Sequence, residues 1–79
     1  MNNYVMKIEG VQAVWSHLKA KTGVECIKNF FRENPSILRK DGLHLTLERQ
    51  PSGVKIKYAV SGRLPNLKIE MYTRLDNGK

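Results

Sequence analysis

Residues 43–75 read LHLTLERQPSGVKIKYAVSGRLPNLKIEMYTRL, and apolar and polar side chains take turns along this stretch three times over. Leu43, Leu45 and Leu47 alternate with His44, Thr46 and Glu48, and Val54, Ile56, Tyr58 and Val60 alternate with Lys55, Lys57, Ala59 and Ser61. Leu67, Ile69 and Met71 alternate with Lys68, Glu70 and Tyr72, a beat that Thr73-Arg74-Leu75 continues. Successive side chains of a strand point to opposite faces, so a period of two marks half-buried strands. Gln50-Pro51-Ser52-Gly53 supplies a first turn, and Gly62 to Asn66, with Pro65 in it, supplies a second. The stretch therefore predicts a three-stranded antiparallel meander with one apolar and one polar side.

Upstream the period changes. Val11, Val14, Trp15 and Leu18 fall at i, i+3, i+4 and i+7, the stripe of an amphipathic helix, and Val24, Ile27, Phe30 and Phe31 form a second set. At about 100° per residue, one continuous rod puts the two stripes on roughly opposite sides, so the chain has to turn between them. Thr22-Gly23 suits that turn. Gly23 accepts a left-handed C-cap for the first helix, and Thr22 with Glu25 makes a capping box for the second. The spacing thus predicts helices over about 10–21 and 23–33, the second ending at Asn34 because Pro35 disfavours helical geometry before it.

The predicted fold class is α+β, with two short helices packed on one face of a three-stranded antiparallel β-meander. Tyr4, Met6 and Ile8 suit a short N-terminal strand, although a frayed tail fits them as well. Trp15, Phe30 and Phe31 read as core or near-core, Asp41-Gly42 as a turn, and residues 76–79 as a disordered tail. With 79 residues the chain has room for one small domain, 1–79, with an ordered core over about 4–75.

Fourteen Lys and Arg against seven Asp and Glu leave a net charge of +7, which attracts polyanions over a Debye length of about 8 Å at physiological salt. Nucleic acid, an anionic membrane surface or an acidic protein fit such a charge, and so does plain solubility. The lone Cys26 excludes an internal disulfide and has no neighbours for a zinc site. Lys7 and Glu9 interrupt any signal-like apolar run, and no segment approaches the roughly 20 apolar residues of a membrane span. A soluble, cytoplasmic protein without membrane, metal or cofactor is the expectation.

If helices cover the apolar side of the meander, its other side presents His44, Thr46, Glu48, Lys55, Lys57, Lys68, Glu70, Tyr72 and Arg74. Pairing Val60 with Leu67 would set Lys57 opposite Glu70 and Lys55 opposite Tyr72. Cations that follow a phosphate backbone, beside an aromatic ring on which a base stacks, are the chemistry of single-strand binding on open sheets. The candidate contacts are Lys55, Lys57, Lys68, Tyr72 and Arg74, with Arg39, Lys40 and Arg63 widening the surface from the loops. Cross-strand pairing of Glu48 and Glu70 with Lys55 and Lys57 is the competing, purely structural use of these charges. The expected function is a small nucleic-acid-binding accessory, for DNA or RNA, that assists a larger processing enzyme. The alternative is an adaptor or inhibitor docking on an acidic protein, as a monomer or weak dimer.

No enzyme is expected. His17 and His44, the only histidines, lie on different elements, and no Gly-rich phosphate loop, Gly-x-Ser-x-Gly motif or suggestive carboxylate pair occurs. One resemblance points the other way. A short strand, two helices and a meander in a small basic chain resemble the element order of the RelE/ParE group of toxins, and Glu33-Asn34-Pro35 is similar to a helix-ending Asn-Pro found there. The predicted helices are much shorter than in that group. The resemblance implies a ribonuclease with Lys57, Tyr72 and Arg74 as the residues for RNA cleavage.

Overall fold

A computed structural model describes residues 1–39 and 41–75, with the backbone alone for 73–75; Lys40 and residues 76–79, the expected tail, lie outside the described residues. In chain order the elements are β1 (Asn2–Ile8), β2 (Val14–Ala20), α1 (Gly23–Glu33), a 3-10 turn (Pro35–Ile37), β3 (Leu43–Gln50), β4 (Val54–Arg63) and β5 (Asn66–Leu75). The strands form one five-stranded antiparallel sheet ordered β2-β1-β3-β4-β5. No described helix is long and apolar enough to cross a membrane.

The expected meander is present as β3 to β5, but the expected pair of helices is not. Residues assigned to the first helix form the edge strand β2, and the N-terminal residues form β1, next to the centre of the sheet. The misreading has a physical cause. Trp15 pairs with Met6 and Leu18 with Tyr4, so β2 spends three steps where β1 spends two, and the extra residue makes a bulge. His17, inside that bulge, takes φ 60. A bulged strand brings residues i and i+3 to one face, the spacing a helix also produces. Val14 pairs with Lys7 and is 55% exposed, so the apparent stripe is not one face at all. β-Branched Val11 and Val14 and aromatic Trp15 also favour a pleated surface. With the first helix goes the element order on which the RelE/ParE resemblance rested.

The second helix forms as α1, with the ends the pattern assigns it. Thr22 is its N-cap: its Oγ1 accepts from the Glu25 N–H at 3.1 Å, while Glu25 Oε1 accepts from the Lys21 N–H at 3.4 Å. Asn34 closes it, donating its backbone N–H to the Phe30 carbonyl at 2.9 Å. Gly23, expected as a left-handed cap of a preceding helix, is instead the first residue of α1. It is there for space, because a methyl at this position would collide with the Tyr58 hydroxyl and touch Leu47.

α1 buries Cys26, Ile27, Phe30 and Phe31 against Met6 and Ile8 of β1, Leu43, Leu45 and Leu47 of β3, and Tyr58 and Val60 of β4. Trp15 meets Phe30 edge to face at 5.0 Å and joins the margin of the core.

The β4–β5 register also departs from expectation. Val60 pairs with Ile69 rather than Leu67, because both strands run on to an Arg63–Asn66 pair and the turn shrinks to Leu64-Pro65. Lys57 then faces Thr73 and Lys55 faces Leu75, with Tyr72 left as an unpaired bulge residue between Met71 and Thr73.

Gly23→Ala tests the helix–sheet contact. Helix propensity alone favours Ala by up to about 1 kcal/mol, but overpacking against a buried tyrosine costs about 1 to 3 kcal/mol. Urea unfolding should show a net loss of stability.

Candidate functional site

The sheet face turned away from α1 is built in rows by the strand registers. One row runs Val14, Lys7, Thr46, Lys57 across β2, β1, β3 and β4, and the next runs Val5, Glu48, Lys55. A third runs His44, Ala59, Glu70 across β3, β4 and β5. Neighbouring strands lie about 4.8 Å apart and alternate residues along a strand about 6.8 Å, so Lys7, Lys55 and Lys57 surround Thr46 within one short reach.

Two hollows join over these rows. One of about 380 Å³ is lined by Lys7, Glu9, His44, Leu45, Thr46, Lys57 and Tyr72. The other, about 340 Å³, is lined by Val5, Lys7, Val14, Thr46, Glu48, Lys55 and Lys57. Lys7, Thr46 and Lys57 belong to both, so the face carries one continuous trough.

Tyr72 closes one end. As a bulge residue it is released from the alternation of β5, and its ring reaches across β4 to His44. The Tyr72 hydroxyl and His44 Nδ1 lie 3.0 Å apart, with the rings edge to face at 5.2 Å. Either group can be the donor, according to the imidazole tautomer. Ala59, the β4 partner of His44, leaves room for this crossing because its side chain is a single methyl. Tyr72 stays 49% exposed.

The cations of the trough are largely unengaged. Among the described residues the one ion pair is Lys68–Glu70, at 3.2 Å on β5. Glu48 stands opposite Lys55 in the ladder but accepts instead from Gln50 Nε2 at 3.0 Å. The cross-strand pairing expected of Glu48 and Glu70 with Lys55 and Lys57 is therefore not made.

Of the residues singled out in the sequence, Lys55, Lys57 and Tyr72 line the trough, and Lys68 lies beyond it on the β5 edge. Arg39 and Arg63 do not join them; they line a separate hollow of about 270 Å³ with Pro35, Leu38, Gly62 and Leu64. Arg74 pairs through its backbone with Ile56, a position out of step with the Lys55–Lys57 set because the bulge at Tyr72 shifts the phase. Lys40 lies outside the described residues. Sequence reasoning missed Lys7, although the alternation of Tyr4, Met6 and Ile8 already placed Lys7 on the opposite side of a strand.

A further hollow of about 430 Å³ lies between β2 and α1, among Trp15, Leu18, Cys26, Phe30 and polar residues at its rim. Burial pushes the Cys26 thiol up to about 11 from 9.0, which keeps it protonated and a poor nucleophile. Burial also raises the Tyr58 hydroxyl, helped by the charge that Tyr4 and Cys26 would carry when ionised. No three His, Cys, Asp or Glu side chains gather to hold a metal among the described residues. The chain matches no protein-family description, no curated protein and no solved structure.

Cys26 gives a pH prediction. The folded state holds the neutral thiol more tightly than the unfolded chain does, so its contribution is complete below pH 9.0 and is lost as the pH rises towards about 11. Chemical denaturation should show stability falling across that window, and Cys26→Ala should flatten the fall.

Proposed function

We propose that this chain is a nucleic-acid-binding accessory protein that takes a single strand along the trough of its outer sheet face. Lys7, Lys55 and Lys57 meet phosphates, and the Tyr72 ring, braced by His44, offers a surface for one base. The observation that carries this reading is the convergence of those three lysines on Thr46 with no carboxylate engaging them among the described residues. The three ammonium groups project from neighbouring positions of the ladder and make no ion pair among the described residues, and a polyanion relieves their mutual repulsion while releasing its own counterions. The apolar floor at Val5 and Val14 and the open edge of the tyrosine suit unstacked bases rather than a closed duplex.

Fluorescence anisotropy with a labelled single-stranded oligonucleotide over a salt series tests it. Three phosphate contacts predict a log–log slope of about −2 for a single strand, and Lys57→Ala or Lys7→Ala should each reduce its magnitude by about 0.7. Tyr72→Ala should weaken binding by about 1 to 3 kcal/mol with the slope unchanged, because stacking releases no counterions. Absence of binding at low salt overturns the proposal.

A further inference from the structure

β5 is an outer edge of the sheet, and its chemistry is self-complementary. From Leu67 to Met71 it runs apolar, cation, apolar, anion, apolar: Leu67, Lys68, Ile69, Glu70, Met71. We propose that this edge pairs antiparallel with the same edge of a second copy, about a two-fold axis through Ile69.

That register sets Ile69 against Ile69, Leu67 against Met71 and Lys68 against Glu70, each contact occurring twice except the central one. A two-fold centred on a residue pairs odd positions with odd and even with even, so side-chain faces match across the junction. Lys68 and Glu70 are 72% and 62% exposed and lie on the outer face, where each would meet its opposite from the partner copy. On the helix side, Leu67 and Ile69 are only partly buried and Met71 is 60% exposed. The helix presses on β2 and reaches inward to Leu47 and Tyr58, which leaves this strip for another cover. A second copy brings an identical apolar strip to the same side of the joined sheet. Growth stops at two chains, because the remaining edge, β2, is bulged at its centre, at His17, whereas the bulge of β5 at Tyr72 lies outside the Leu67–Met71 pairing.

This inference stands apart from nucleic-acid binding, since the two use different residues. It adds one consequence: an edge-to-edge pair puts both outer troughs on one side of a continuous sheet.

Sedimentation velocity over a protein concentration series tests it, at an ionic strength where a Debye length of about 8 Å screens the +7 charge of each copy. The wild-type chain should dimerise reversibly. Lys68→Glu and Glu70→Lys each place like charges opposite one another twice, and each should weaken dimerisation by about tenfold or more. An equimolar mixture of the two variants should recover association as a heterodimer, because every like pair becomes an opposite pair. An ion pair confined to one chain cannot produce that recovery. Far-UV circular dichroism should be unchanged in both variants, as both positions are exposed. A wild-type chain that stays monomeric, single variants that dimerise as tightly as wild type, or a mixture no tighter than its components overturns the proposal.

Discussion

One helix has to close the apolar side of a five-stranded sheet, and the rest of the structure follows from how far it reaches. A helix with its side chains is about 10 to 12 Å across, whereas five strands spaced about 4.8 Å apart span about 19 Å between the outer two. α1 therefore cannot cover all five strands; it lies towards β2, reaches the middle of the sheet and leaves the β5 margin. Its four buried residues meet β1, β3 and the near side of β4, where Met6, Ile8, Leu45, Leu47 and Val60 are almost wholly enclosed. Gly23 lets the start of the helix sit down on Tyr58 and Leu47. The margins are handled separately. On one side the bulge of β2 brings both Trp15 and Leu18 towards the helix flank, and Trp15 reaches Phe30. On the other, β5 has no such cover, and Met71 remains open.

The same one-sided burial accounts for the opposite face. Without a second layer, that face has to be compatible with water, and its side chains are Lys, Thr, Glu, His and Ala with a little valine. Bare compatibility with water needs no particular order. Here the registers gather lysines from β1 and β4 around Thr46 and leave the nearest carboxylate, Glu48, bonded to Gln50. Tyr72 is brought in by a local device, the bulge that frees it from the alternation of β5 and lets it cross Ala59 to His44. The outer face is therefore a basic trough with an aromatic side chain at one end.

Much of this was legible along the chain, and the failures have particular causes. The alternation over Leu43–Met71 records which side chains of β3, β4 and the first part of β5 turn towards the helix, and fails beyond the bulge at Tyr72, which shifts the phase of β5; Thr22, Glu25 and Pro35 mark the ends of α1 because capping chemistry is local. Val11 to Leu18 misleads because a β-bulge and a helix both bring residues three apart to one side. The β4–β5 register was unreadable because it depends on a turn of two residues rather than five, a difference the composition of Gly62 to Asn66 does not encode. Lys7 was overlooked because a lone N-terminal strand has no stability of its own; β1 exists as a strand only because β2 and β3 pair with it on both sides.

Sequence by itself determined the faces of β3, β4 and β5 as far as Met71, the helix from Gly23 to Glu33 and the basic, tyrosine-bearing character of the polar side, because each rests on a short repeat or a local hydrogen bond. Tertiary structure alone decided that Val14–Ala20 is a strand, that Lys7 stands beside Thr46 and Lys57, and that Tyr72 meets His44 while Arg39 and Arg63 lie elsewhere. Those are contacts between residues distant in sequence, and they come into being only when backbone hydrogen bonds between strands choose a partner and a register.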